Sequence, residues 1–205
     1  QTGNPIRNLP GVLVVSNHTS WVDVFAIGAV VPGSFVARAD LVDWPAIGLA
    51  VRMMGVIPIE RRSLRKLPPV VDAVTGRLLE GHTVVAFPEG TTFCGKHNGT
   101  FRPAVFQASI DSGRPAQPVR LTYRHRDGRP STVTAFLGED SLWASVKRIA
   151  AARGTVVELA VGSLQLPGSS RRDLAARCQA AVMSPSCASA RGRPRHCSPR
   201  HGFLP

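Results

Sequence analysis

Two unbroken apolar runs constrain this chain most. Val12–Val15 lies between Gly11 and Ser16, and Val84–Phe87 lies between Thr83 and Pro88. Neither run shows polar alternation. A run this short, closed by turn residues, reads as a strand buried on both faces, the second of them over Thr83–Phe87. A sheet with two buried faces needs helical layers above and below it, and the intervening segments supply them. Ser20 is placed to cap a helix running through Val31, with Asp23 in its first turn, where the helix dipole favours negative charge. Ser34–Arg38 and Val56–Ile59 read as strands. Leu41–Met54 reads as a helix that is apolar nearly all round, and Leu67–Glu80 as an amphipathic helix ended by Gly81. Further on, the pattern predicts helices over 103–112, 141–152 and 170–182, and strands over 117–124, 132–137 and 155–161. Strands alternating with helices predict an α/β fold with a mostly parallel central sheet flanked by helices. There is no internal repeat.

Composition sets the scale. With 205 residues, 43% hydrophobic and 19% charged, the chain can bury the core of one domain, which excludes wholesale disorder. Residues 1–183 are expected to form that domain. Ser184–Pro205 has four Arg, no acid and almost no apolar residue before Phe203, and reads as a basic disordered tail. No apolar stretch reaches the length of a membrane span; Val24–Val31 is stopped by Pro32 and Gly33. The chain opens without Met and enters a strand pattern by Val12, as an excised domain would, with an upstream segment missing. The four Cys (Cys94, Cys178, Cys187, Cys197) show no metal-ligand spacing, which points to thiols in a reducing compartment.

The net charge of +12 calls for an anionic partner, whether nucleic acid, a membrane surface or a phosphorylated substrate. Residues 1–90 carry 8 basic and 7 acidic side chains, so the excess lies after them. Arg supplies 22 of the 25 cations, and its planar fork suits phosphate. A near-neutral first half and 6% aromatic content do not describe a nucleic-acid binder, which would interleave aromatics with basic runs.

Three constellations carry chemistry. Asn17-His18-Thr19-Ser20-Trp21-Val22-Asp23 puts a His just past a buried strand and an Asp five residues on, within folding reach of the imidazole. In such a pair the carboxylate fixes the tautomer while the other ring nitrogen takes a proton from a hydroxyl. On its own the spacing also describes a surface His beside a helix start. Phe87-Pro88-Glu89-Gly90-Thr91 ends another buried strand with backbone N–H groups, a hydroxyl and a carboxylate. Gly55 to Arg61 ends a third strand in an Arg able to clamp phosphate. Strand ends of open α/β sheets are where ligand sites gather. The remaining His residues (82, 97, 125, 196, 201) form no ligand spacing, which leaves a metal hydrolase built on His18 and Asp23 without the cluster it needs.

Taken in order, these motifs closely resemble the blocks of the glycerolipid acyltransferase family. Asn17-His18 with Asp23 matches the first block and Gly55 to Arg61 the second. Phe87–Thr91 with Gly95, Gly99 and Phe101 matches the third, and Pro118-Val119, opening a strand, the fourth. The resemblance covers about residues 11–125. It implies an O-acyltransferase in phospholipid biosynthesis that moves an acyl group from acyl-CoA or acyl-ACP, as co-substrate, to the free hydroxyl of lysophosphatidic acid. No other cofactor and no metal is implied, nor a covalent acyl-enzyme. His18 would be the general base and Asp23 its orienting carboxylate. Arg61, Glu89, Gly90 and Thr91 would form the acceptor-phosphate site, with Glu89 organising the loop. Asn17, Arg38 and Arg102 are second-tier candidates. Another lysophospholipid, an aminolipid or glycerol-3-phosphate remains open as acceptor, because Thr92, Arg102 and Pro58 depart from the common pattern. Such an enzyme would work on an anionic membrane surface at the cytoplasmic face of the cell membrane, held peripherally or through its missing upstream segment. Leu41–Met54 is either a surface that meets the bilayer or a buried core helix.

Overall fold

A computed structural model describes residues 10–38, 55–59, 65, 67–95, 98–136, 140–152 and 154–184. Leu41–Met54, Arg61 and the tail after Ser184 lie outside the described residues.

Six strands form one sheet among these residues: β1 (Leu13–Ser16), β2 (Ser34–Arg38), β3 (Ile57–Ile59), β4 (Val84–Ala86), β5 (Ala116–His125) and β6 (Thr155–Val161), in the order β3-β2-β4-β1-β5-β6. All neighbouring pairs are parallel except β5 and β6, which run antiparallel at one edge. The expected α/β class and parallel sheet are therefore found. Five helices accompany it: α1 (Val22–Gly28), α2 (Leu67–Leu79), α3 (Phe106–Ser112), α4 (Leu142–Ala151) and α5 (Arg171–Met183).

The two short apolar runs lie side by side at the centre, with Leu13 opposite Val84 and Val15 opposite Ala86. Their side chains alternate between two separate cores. Leu13, Val15, Val84 and Ala86 pack with Val74 and Leu78 of α2, Phe106 of α3 and Leu174, Cys178 and Val182 of α5. Val12, Val14 and Val85 face the other way, onto Ile27 of α1 with Phe35, Phe87, Val119, Leu121 and Tyr123. Burying a side chain such as Phe106 or Leu13 completely contributes about 1.5–3 kcal/mol. Gly11 lets the chain enter β1. Its φ is +68°, and a Cβ there would lie 2.2 Å from the carbonyl oxygen of Leu78.

Three sequence expectations are corrected. Residues 132–136 form turns and loop, not a strand: on the side of β5 away from β6 the pairing is made just before them, where the Arg129 carbonyl accepts from the His125 N–H and the Ser131 N–H donates to the Tyr123 carbonyl, and the chain then leaves β5. The first helix ends at Gly28 rather than Val31, and its N-cap position is Trp21; the Ser20 hydroxyl still accepts from the Val22 N–H at 3.3 Å. Pro118 does not open a strand but sits inside β5. Its missing N–H falls on the β6 side, where only its carbonyl is used, accepting from the Gly162 N–H just as the antiparallel pairing begins. Among the described residues no helix is long and apolar enough to cross a membrane.

Candidate active site

The site is assembled where β1, β4 and β5 end. β1 stops at Ser16, and Asn17 continues its pairing with a side chain. The Asn17 Nδ2 donates to the Leu121 carbonyl at 2.9 Å, and Oδ1 accepts from the Leu121 N–H at 2.8 Å. This double bond extends the ladder by one rung while the backbone turns away at His18. Asn17, a second-tier site candidate, has its amide engaged with the protein.

His18 is 8% exposed. Its ring stacks on Phe87 at 4.2 Å between centroids, and its Nδ1 lies 2.9 Å from Oδ2 of Asp23. A carboxylate at that distance places the proton on Nδ1 and leaves Nε2 as the basic nitrogen. The sequence expected this pairing, and the fold makes it by turning four residues tightly: Asp23 Oδ2 also accepts the N–H groups of Thr19 at 2.6 Å and Ser20 at 2.9 Å. These charge-assisted bonds and the first turn of α1 offset the cost of a fully buried carboxylate. The other oxygen, Oδ1, accepts from the Tyr123 hydroxyl at 2.6 Å. Sequence reading missed Tyr123. It lies 100 residues from Asp23 and is the chain's single Tyr; its inward position on a strand was the only signal.

The loop after β4 closes the other side. Glu89 Oε2 accepts from the His18 N–H at 2.8 Å and Oε1 from the Gly99 N–H at 2.9 Å, so the carboxylate ties the two ends of its own loop to the His18 turn. Burial pushes Glu89 up to about 7; the two N–H donors oppose that rise, and the charge of Asp23 adds to it. The loop is pinned further where the Phe93 N–H donates to the His18 carbonyl at 2.8 Å and the Arg102 N–H to the Pro88 carbonyl at 3.0 Å. Gly90 has φ +74°, and the Arg102 guanidinium packs where its Cβ would stand, 3.1 Å away at the closest. Arg102 is exposed and Thr91 follows Gly90 at the surface, so a cation and a hydroxyl flank the turn. Thr92 turns away, its hydroxyl donating to the Phe136 carbonyl.

Of the sequence candidates, the structure thus brings together His18, Asp23, Glu89, Gly90, Thr91 and Arg102, with Asn17 beside them. Arg38 ends β2, two strands from β1. Arg61 lies outside the described residues. Among the described residues no group of three or more His, Cys, Asp or Glu is placed to hold a metal ion. The arrangement provides a fixed imidazole with one free basic nitrogen at a sheet edge, next to a rigid Gly-containing turn that carries a cation.

Comparison with known proteins gives a consistent picture. The acyltransferase family model matches residues 2–122. A 1-acyl-sn-glycerol-3-phosphate acyltransferase of Neisseria gonorrhoeae is 38% identical over 130 residues, covering 63% of this chain and 51% of that protein. A lyso-ornithine lipid O-acyltransferase of Pseudomonas aeruginosa is 32% identical over 172 residues, covering 83% and 66%. This chain therefore spans about half the length of the first relative and two thirds of the second. In structure it resembles the crystal structure of the 1-acyl-sn-glycerophosphate acyltransferase PlsC from Thermotoga maritima, with a TM-score of 0.59, 22% identity, and 88% and 67% of the two chains covered. That likeness concerns the fold.

Proposed function

Since this chain belongs to the acyltransferase family, we propose that it transfers an acyl group from a thioester, acyl-CoA or acyl-ACP, to the free hydroxyl of lysophosphatidic acid. The observation that carries the reading is the buried His18–Asp23 pair, 2.9 Å apart, at the sheet edge. His18 Nε2 takes the proton of the acceptor hydroxyl as its oxygen attacks the thioester carbonyl. The tetrahedral intermediate collapses with loss of the thiolate, to which His18 returns the proton. Asp23 holds the imidazole in register and stabilises its charged form between the two transfers. Arg102 and the Glu89–Thr91 turn, with Arg61, bind the acceptor's phosphate. Glu89 serves this site by shaping the loop, since both its oxygens accept backbone N–H groups. The acceptor is a lipid, so the reaction takes place against a membrane surface, to which the basic second half of the chain is attracted.

A second reading has its own support. The Pseudomonas aeruginosa relative, named for lyso-ornithine lipid, aligns with more of this chain than the Neisseria protein does. The chemistry at His18 is the same for either acceptor. Purified protein should be given an acyl thioester and, in parallel, lysophosphatidate, lyso-ornithine lipid, a zwitterionic lysophospholipid and glycerol-3-phosphate, with products identified by mass spectrometry. Lysophosphatidate giving the fastest turnover is the expected result; preference for lyso-ornithine lipid replaces the first reading with the second. His18→Ala should lower turnover by about 10³-fold or more while the protein stays folded, and a variant that remained active would end the mechanism.

A further inference from the structure

We propose that Tyr123 is a positioning residue of the catalytic pair: by holding Oδ1 of Asp23, it fixes the carboxylate against His18. The inference rests on the acyl-transfer reading above and extends it to a residue that the ordered motifs do not contain.

The geometry assigns each oxygen of Asp23 a separate task. Oδ2 receives three donors, the His18 Nδ1–H and the N–H groups of Thr19 and Ser20, all from one turn of chain. Oδ1 receives a donor from another part of the fold, the Tyr123 hydroxyl at 2.6 Å. Tyr123 is 4% exposed, on the face of β5 that packs with Val14, Ile27 and Phe87. β5 is tied to the same turn two residues earlier, through the Asn17–Leu121 double bond. A ring rooted in a strand of the central sheet therefore sets the rotation of a carboxylate that α1 carries. Local bonds alone would hold Asp23 by one oxygen and leave the other buried without a donor.

The arrangement also has an electrostatic consequence. Titratable side chains lie against the pair from two elements: Tyr123 on β5 and Glu89 in the loop after β4. Cys94 follows Phe93 in the stretch bonded to the His18 carbonyl. A short bond from a neutral hydroxyl draws negative charge toward Oδ1 and away from the imidazole. Removing that donor leaves Oδ1 buried without a partner and the carboxylate held by one oxygen only. The phenol in turn is pushed above its ordinary value by burial and by the charge and hydrogen bond of Asp23.

Because Tyr123 is the only Tyr, its ionisation can be followed directly by tyrosinate absorbance. In the wild-type protein the phenol should stay unionised through pH 10, its ordinary value, for as long as circular dichroism reports a folded chain. In Asp23→Asn, which removes the charge, the phenol should ionise at lower pH than in wild type. In Tyr123→Phe, kcat should fall about tenfold or more with KM for the acceptor little changed. A Tyr123→Phe variant with wild-type kcat overturns the proposal. So does one whose loss of activity comes with a raised acceptor KM and a matching loss of thermal stability, since that is what a purely structural contact would give. If Tyr123→Phe does not fold, the wild-type titration decides: a phenol that ionises near pH 10 in the folded protein refutes the bond. A wild-type protein that transfers no acyl group to any acceptor overturns the functional reading, and the positioning role with it. A tyrosine titration that Asp23→Asn lowers would in that case still report the Tyr123–Asp23 contact, so the two failures are told apart.

Discussion

Glu89→Gln tests whether the loop after β4 is held by a buried charge. Glu89 is 3% exposed, and its oxygens accept from the His18 and Gly99 N–H groups. Burial raises its carboxyl from 4.5 to about 7. A carboxyl whose folded pKa is raised binds its proton more tightly in the folded chain than in the unfolded one. Its contribution to stability is therefore complete below pH 4.5 and lost as pH rises to about 7. At 1.36 kcal/mol per pH unit, that window removes about 3 kcal/mol. Glutamine keeps the shape but cannot titrate. It also turns an amide NH2 toward one of the two backbone donors, a cost of about 1–3 kcal/mol that does not vary with pH. Urea unfolding of both proteins at several pH values across the window, read by tryptophan fluorescence, separates the two effects. The wild type should lose about 3 kcal/mol more than Glu89→Gln between pH 4.5 and about 7. Stability curves that run parallel within about 0.5 kcal/mol would show that the carboxylate ionises without penalty, and that burial does not outweigh its two N–H donors.

Two further substitutions probe the frame of the site. Asn17→Ala leaves the Leu121 N–H and carbonyl without their side-chain partners, 2.8 and 2.9 Å away in the wild type. It should cost about 2 kcal/mol or more in denaturant unfolding and also slow turnover, because β5 carries Tyr123; unchanged stability would mean that water replaces the amide freely. Gly11→Ala forces a Cβ to within 2.2 Å of the Leu78 carbonyl oxygen at φ +68°. It should destabilise the fold by about 3 kcal/mol or more, and a thermal midpoint equal to wild type would show that the β1 entrance is far more pliable than its contacts imply.

Much of this molecule can be read from its residues one segment at a time. Val12–Val15 and Val84–Phe87 announce central strands because no polar side chain interrupts them, and both lie at the centre of the sheet. His18 and Asp23 announce their pairing because five residues and one helical turn suffice to bring them together. Glu89 is visible as a polar residue at a strand end. The misreadings share a cause. Residues 132–136 have strand composition, but the chain pairs with β5 just before them, through Arg129 and Ser131, and leaves the sheet afterwards. Asn17 stands out in the sequence only as part of the first motif; only the partner strand reveals that its amide completes a ladder.

The sequence by itself therefore determined the layer architecture and the ordered motifs, since both depend on apolar periodicity and short-range spacing. It also determined which imidazole and carboxylate would meet, because the chain between them is too short to allow much else. The tertiary structure decided everything that depends on which strands become neighbours. Placing β5 against β1 brings a single tyrosine, 100 residues distant, onto the free oxygen of Asp23. Local pattern carries no record of that pairing, because this hydrogen bond is specified by how β5 lies against the turn and helix that follow β1, not by the identity of one residue.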